Sequence, residues 1–131
     1  TMQINPAYAD VVREVESFFT NRLSALAAAG VGQEQTILDV GIGFGKNLEH
    51  NLQLLAGLNR FAGFRRPLLL GVSRKSFIGQ LLGAELDARL PAGLACACWA
   101  AEAGVQFIRT HDVGATVQAV RMLEHILKHR Q

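Results

Sequence analysis

The stretch LLLGVSRKSFIG, residues 68–79, joins an apolar run to two cations between two serines, and a helical pattern begins directly after them. A buried strand has no place for Arg74 and Lys75, so both charges belong where the strand ends. Ligands of parallel α/β folds bind at this end of the strands. Ser76 can cap the following helix, whose first N–H groups suit an anion. A solvated loop also carries such cations, so this stretch alone leaves both interpretations open.

The same order of strand and helix repeats along the chain. The predicted strands are 36–40, 67–72 and 105–109. The predicted helices run from Asn5-Pro6 to Gly30, from 48 to about 61, from 76 to 83, from 87 or 91 to 103, and from 114 to 129. Strand starts separated by roughly 30 to 40 residues favour a parallel sheet of strand–helix units, so the predicted fold class is α/β.

Composition limits the classes of protein to consider. The 131 residues suffice for one domain with a hydrophobic core, and a mean hydropathy of +0.20 indicates surfaces that need covering. No apolar run reaches the ~20 residues of a membrane span, and a net charge of +2 with mixed signs does not indicate nucleic-acid binding. Cys96 and Cys98 lie two apart in a helical pattern, which predicts reduced thiols in a cytoplasmic protein. Because the chain begins at Thr1, we expect it to be part of a longer protein.

A glycine-rich turn, DVGIGFGK at residues 39–46, follows the first predicted strand. Its glycines allow close approach of a ligand to the backbone, but Val40 excludes a P-loop and Lys46 excludes a dinucleotide fingerprint. Asp39 can grip an N–H-rich heterocycle through two donors, or it can cap the turn. Phe44 is either a lid on a flat ligand or a core residue.

The third predicted strand ends in FIRTHD, residues 107–112. Side chains alternate along a strand, so Arg109 and His111 are expected on one face and Thr110 on the other. Two such groups form an anion clamp, and arginine suits phosphate oxygens. Asp112 is predicted to cap the last helix.

The remaining histidines do not indicate a site. His50, His125 and His129 occupy polar helical positions and are predicted to be solvated. The chain contains no metal-ligand spacing of histidine, cysteine or carboxylate residues, so metal ligation by this chain is not expected.

Three motifs together resemble dihydropteroate synthase in their order and spacing: Asp39-x-Gly-x-Gly-Phe-Gly-Lys, Ser73-Arg74-Lys75-Ser76 and Arg109-x-His111-Asp112. The resemblance covers nearly the whole chain, including Thr1-Met2-Gln3, which is similar to the loop after that family's fifth strand. It implies that residues 1–131 are the C-terminal portion of a single pterin-binding (β/α)8 TIM barrel domain, with about three of the eight strands. The implied reaction condenses 6-hydroxymethyl-7,8-dihydropterin diphosphate with p-aminobenzoate to give 7,8-dihydropteroate and diphosphate. Sulfonamides compete with p-aminobenzoate in that family.

The resemblance also implies a role for each residue of the site. Asp39 would hold the pterin ring nitrogens, and Lys75 would contact the pterin carbonyl and shape the p-aminobenzoate pocket. Ser76 would receive the benzoate carboxylate. The full implied substrate-binding set is Asp39, Gly43, Phe44, Lys75, Ser76, Arg109 and His111. Of these, Lys75, Arg109 and His111 would be catalytic, with Arg109 and His111 holding the diphosphate.

Further expectations concern what lies outside the chain. The resemblance implies Mg²⁺ held by the missing N-terminal part, a homodimer through the C-terminal helices, and a fragment that is inactive alone. Val40 stands where the family often has proline, and we expect its side chain to face away from the ligand.

Two other hypotheses for the function of the chain are open besides a synthase. A corrinoid methyltransferase-like barrel also binds a pterin at an acidic strand end, but it has no diphosphate for Arg109 and His111 to hold. The chain could instead be a non-catalytic half-barrel or dimerisation fragment, whose apolar composition would serve buried contacts.

Overall fold

The computed structural model describes residues 9–131 of the chain. Three parallel strands form one sheet in the order β1-β2-β3, with β1 at Leu38–Asp39, β2 at Leu68–Gly71 and β3 at Phe107–Arg109. Asp39 pairs with Leu69, which pairs in turn with Phe107. The predicted α/β class and the three parallel strands are confirmed, although each strand is shorter than predicted.

Five α-helices follow the predicted order along the described residues: α1 Val11–Ala28, α2 Leu48–Ala56, α3 Ser76–Leu82, α4 Leu90–Glu102 and α5 Val113–Lys128. Asp10 caps α1, because its Oδ1 accepts a hydrogen bond from Arg13 N at 3.1 Å. The predicted helix start at Asn5-Pro6 lies outside the described residues, as does Thr1-Met2-Gln3. Gly83 adopts a left-handed conformation that ends α3, as glycine does readily.

The second helix is shorter than its periodicity predicts. It ends at Ala56, and a 3₁₀ segment, Leu58–Phe64, continues the chain. Gly57 stands between the two, and a Cβ there would lie 3.2 Å from Val12 Cγ2 of α1. The close passage of α1 therefore coincides with the end of α2, and leucine spacing alone does not reveal it.

The hydrophobic core lies between one face of the sheet and α1, α2, α3 and α4. Its largest fully buried side chains are Phe61, Ile42, Leu54, Leu58, Leu68, Leu70, Ile78 and Val11. Phe19 of α1 meets Phe61 and Phe64 edge-on, with ring centroids 5.7 and 5.6 Å apart. Phe18 and Leu26, which the periodicity also predicts on the inner face of α1, are exposed. Phe18 lies one residue from Phe19 and is therefore rotated about 100° around the helix.

No helix covers the opposite face of the sheet within residues 9–131. We call this surface the open face; it consists of Ile37, Asp39, Leu69, Phe107 and Arg109. Ile37 is 51% exposed and Phe107 is 46% exposed. Within the leucine run of β2, only Leu69 is partly exposed, because Leu68 and Leu70 on either side of it point into the core.

Helix α4 carries the two cysteines and the only tryptophan of the sequence. Both thiols are free and half-buried, and burial raises the pKa of Cys96. Trp99 Nε1 donates a hydrogen bond of 2.6 Å to Leu55 O near the end of α2. None of the helices within residues 9–131 combines the length and apolarity that crossing a bilayer requires.

Candidate active site

The carboxyl ends of the three strands bring Asp39, Arg109 and Lys46 within electrostatic range of Lys75. Burial lowers the pKa of Lys75, Asp39 acts in the opposite direction, and Arg109 and Lys46 lower the pKa further. Each strand end thus contributes to one cluster, as the sequence predicts from the shared sheet edge.

The glycine-rich turn folds back on Asp39. Asp39 Oδ1 accepts a hydrogen bond of 2.9 Å from Gly41 N, so this oxygen caps the turn, which is one of the two predicted roles of Asp39. Gly41, Gly43 and Gly45 all have positive φ, which a residue with a Cβ adopts only under strain. The turn therefore curves around the Asp39 carboxylate at the end of β1.

Two side chains that sequence reasoning missed fasten this turn. Lys46 Nζ donates to Gly41 O at 2.9 Å and to Phe44 O at 2.7 Å. Buried Asn51 of α2 accepts a bond of 2.8 Å from Gly43 N on its Oδ1. Asn51 lies three residues after Leu48, on the inner face of α2. A polar residue at such a position predicts a buried hydrogen bond.

Lys75 links the turn to the loop after β2. Its Nζ donates to Ile42 O at 2.6 Å and lies 4.9 Å from the centroid of the Phe44 ring. Phe44 is 50% exposed and is therefore a rim residue of the site, not part of the core. A Cβ on Gly43 would lie 3.3 Å from Lys75 Cδ, so this glycine leaves room for the lysine.

The loop after β2 turns sharply before α3. Arg74 has a φ of +59°, and Lys75 occupies the N-cap position of the helix. No side chain caps α3, and Ser76 is its exposed first residue. The prediction that Ser76 caps this helix is wrong, because the turn at Arg74 brings the chain into helical conformation one residue earlier. Ser76 keeps its hydroxyl and N–H at the sheet edge.

His111 is bound to the neighbouring loop through Ser73. The His111 backbone N donates to Ser73 Oγ at 3.1 Å, and Thr110 Oγ1 donates to the same oxygen at 3.4 Å. The Ser73 hydroxyl lies 2.8 Å from His111 Nδ1, and one arrangement of this bond has the hydroxyl donate to the nitrogen. Neutral His111 then carries its proton on Nε2, where it can donate to an anion.

Arg109 lies against the end of β2. A Cβ on its register partner Gly71 would stand 3.0 Å from Arg109 Nη2. Arg109 and His111 therefore meet the β2 chain at Gly71 and Ser73, two residues apart, while Thr110, predicted on the opposite face, also reaches Ser73 Oγ.

Asp112 has a different role from the one predicted. It occupies the N-cap position of α5, but its side chain makes no capping bond there. Its Oδ1 instead accepts a hydrogen bond of 3.0 Å from Arg74 Nη2, which ties the β2 and β3 loops together. The capping prediction fails because a cation on the adjacent loop competes for the carboxylate.

The prediction of a solvated His50 is also wrong. His50 is buried, its Nδ1 accepts from Asn47 N at 3.2 Å, and its N donates to Asn47 Oδ1 at 2.8 Å. This reciprocal pair caps α2. His125 and His129 are exposed, as predicted.

Comparison with known proteins places these residues in a family. The profile of the family described as pterin binding enzyme matches residues 1–111. The chain belongs to this family. It is 48% identical to the dihydropteroate synthase of Escherichia coli (strain K12), over 100% of this chain and 46% of that protein. The chain therefore spans about half the length of the curated relatives it matches, and the expected resemblance to dihydropteroate synthase is confirmed.

Solved structures of this family share the fold of the chain. The Yersinia pestis dihydropteroate synthase in complex with a sulfonamide drug aligns with a TM-score of 0.94 and 43% identity over 98% of this chain and 47% of that one. The Xanthomonas albilineans dihydropteroate synthase in complex with 7,8-dihydropteroate aligns with a TM-score of 0.90 and 40% identity, over 93% of this chain and 47% of that one. The three strands and their helices are thus a partial (β/α)8 barrel, as predicted.

Proposed function

We propose that this chain carries part of the active site of a dihydropteroate synthase, a transferase that joins a pterin methylene carbon to the amine of p-aminobenzoate. The observation that supports it is the cluster formed by Asp39, Lys75 and Arg109 at one sheet edge, with His111 beside it. The cluster combines one carboxylate for a heterocycle with cations and a donor for an anion, and the curated relatives are synthases.

In this proposal the pterin lies against the glycine-rich turn. Gly41 N engages only Oδ1 of Asp39, and the carboxylate has further acceptor positions for the pterin N–H groups. Lys75 Nζ faces the same turn and donates to the pterin carbonyl. Gly43 has no side chain, so the flat ring can approach the backbone of the turn at this position.

The p-aminobenzoate ring is placed against the pair formed by Phe44 and the aliphatic part of Lys75. Its carboxylate is received by the exposed hydroxyl and N–H of Ser76. Helix α3 has only seven residues, so we assign this affinity to the two donors and not to the helix dipole.

Arg109 and the Nε2–H of His111 hold the diphosphate. The C–O bond to the pterin methylene carbon breaks, and its electron pair leaves on the diphosphate oxygen. Fixed cations stabilise this charge. The amine nitrogen forms the new C–N bond and releases its proton to water, so the amine is positioned more than it is activated.

Several features of the whole protein belong to the same proposal. Residues 1–131 form part of a single barrel domain of a cytoplasmic enzyme. The homodimer is assigned to the C-terminal helices, since α5 exposes apolar side chains, namely Val113, Val117, Met122 and Ile126. Residues 9–131 contain no group of three His, Cys, Asp or Glu side chains that could hold a metal ion. The implied Mg²⁺ therefore does not fit this part of the protein.

The proposal is tested in what we call the grafted enzyme: the Escherichia coli relative with its matched 46% replaced by this chain. We expect it to convert both substrates to dihydropteroate and to be inhibited by a sulfonamide. The same graft carrying Arg109→Gln and His111→Gln is the matched control and should lose turnover. A folded graft that forms no dihydropteroate overturns the proposal, and if it also binds no sulfonamide, the result favours the corrinoid methyltransferase-like alternative.

Ser76→Ala in the grafted enzyme should raise the KM for p-aminobenzoate roughly tenfold and leave the KM for the pterin diphosphate nearly unchanged. A hydrogen bond to a charged group contributes about 1.5–3 kcal/mol, which accounts for this size. Steady-state kinetics with each substrate varied in turn measure the effect. Ser17→Ala on the exposed side of α1 is the control, and an equal rise in both KM values contradicts the assignment.

The pH dependence of kcat/KM should show the loss of the Lys75 charge. Because burial lowers its pKa below the ordinary 10.5, the lysine loses its charge at a lower pH than a free lysine does. We expect kcat/KM to decline on the alkaline side before pH 10.5, as the cation is lost with rising pH. Lys75→Arg should lower the rate but move this decline to higher pH, since guanidinium stays protonated. An identical alkaline limb in both enzymes would assign the titration to another group.

A further inference from the structure

Arg89 joins three segments around the β2 loop. It occupies the N-cap position of α4 and is half-buried. Its Nε donates to Ala84 O at 3.0 Å, and its Nη1 donates to Arg74 O at 3.0 Å. One planar guanidinium thus links the start of α4, the segment after α3 and the loop that carries Lys75.

The sequence leaves space for this guanidinium. A Cβ on Gly79, inside α3, would overlap Arg89 Nη2. Glycine within a helix is normally unfavourable relative to alanine. Its presence here is explained by the arginine that packs against it and by Ala84 O, which would lie 3.1 Å from the same Cβ.

The bond to Arg74 O fixes a peptide that is otherwise under strain. Arg74 has a φ of +59°, where glycine is favoured. The peptide that joins it to Lys75 is held at both polar atoms, because Lys75 N donates to Val72 O at 3.1 Å and the carbonyl accepts from Arg89. Without Arg89, the carbonyl is released and this peptide can rotate toward a relaxed conformation.

We infer that Arg89 is a positioning residue for Lys75 and Ser76, an inference that rests on the function proposed above. Arg89 touches neither substrate; it sets the peptide plane from which both side chains extend. Misplacement of binding groups by about 1 Å can cost up to 100-fold in rate. The pterin has a second anchor in Asp39 on another loop, whereas the benzoate carboxylate depends on Ser76 alone.

Arg89→Met in the grafted enzyme is therefore expected to reduce kcat/KM for p-aminobenzoate about 10- to 100-fold. The KM for p-aminobenzoate should rise more than that for the pterin diphosphate, a split that a general loss of stability does not produce. Arg89→Lys should recover part of the loss, since one ammonium group can replace one of the two bonds. Arg60→Met, which removes an exposed partner of Glu16, is the control and should keep the parent kinetics.

A double-mutant cycle with Gly79→Ala tests the contact itself. With Arg89 present, Gly79→Ala should displace the guanidinium and lower both kcat/KM and the melting temperature. In the Arg89→Met enzyme the same change should leave kcat/KM unchanged and lower the melting temperature less than it does with Arg89 present, because only Ala84 O, 3.1 Å from the new Cβ, still crowds it. An effect of Gly79→Ala that is equal in both backgrounds, or parent KM values in Arg89→Met, overturns the inference. An inactive parent graft instead overturns the proposed function, and the melting temperatures of the cycle still decide whether Arg89 and Gly79 are in contact.

Discussion

Lys75→Met in the grafted enzyme is expected to reduce kcat/KM for both substrates by about 100-fold or more. In the proposed geometry Lys75 contacts the pterin, borders the aromatic pocket and lies near the Arg109 cation. It therefore serves both substrates. Its loss also removes the 2.6 Å bond to Ile42 O that ties the β2 loop to the glycine-rich turn. Steady-state kinetics for each substrate measure the change.

The melting temperature should change little in the same variant. Burial disfavours the charged form of Lys75, as its lowered pKa indicates, so replacing it with an uncharged side chain removes that penalty. Lys128→Met on exposed α5 is the matched control for loss of a lysine. A fall in melting temperature that accounts for the whole fall in activity would show that Lys75 is structural.

The chain on its own should have no detectable synthase activity and should not be a compact monomer. Within residues 9–131, a sheet of three strands leaves unpaired N–H and C=O groups along β1 and β3. The open face adds the exposed side chains of Ile37 and Phe107. Strand edges and apolar surface of this kind promote association with other chains.

Light scattering and a dihydropteroate assay measure both parts of this prediction. Adding, as a separate polypeptide, the portion of the Escherichia coli relative that this chain does not match should restore solubility and some turnover. The same portion added to a chain carrying Arg109→Gln should restore solubility without turnover. A monodisperse monomer that produces dihydropteroate unaided would refute the prediction.

Much of the fold could be predicted from the sequence because its signals are local. Apolar strands followed by glycine or charged residues, and glycines at helix ends, are determined by a few neighbouring residues. The incorrect predictions concern features that depend on contacts between segments far apart in the sequence. The end of α2 coincides with the passage of Val12 beside Gly57, and Asp112 does not cap α5 because its carboxylate binds Arg74 of another loop.

The candidate site shows the same division. Residue types at strand ends identify Asp39, Lys75 and Arg109 as one cluster, because parallel strands share an edge. The side chains that hold them lie elsewhere in the chain, as Asn51 and Arg89 do. Their bonds are made to backbone atoms of distant loops, and a single sequence gives no register for such contacts.

The bond from Trp99 to Leu55 O gives the chain a built-in optical probe. As the sequence has one tryptophan, intrinsic fluorescence of the chain comes from a single indole at the junction of α4 and α2. Indole emission responds to hydration and to hydrogen bonding of its N–H, so separation of these two helices should change its wavelength. The indole lies apart from the glycine-rich turn and the β2 loop. Stopped-flow fluorescence can therefore follow the docking of α4 in real time without a label near the substrates.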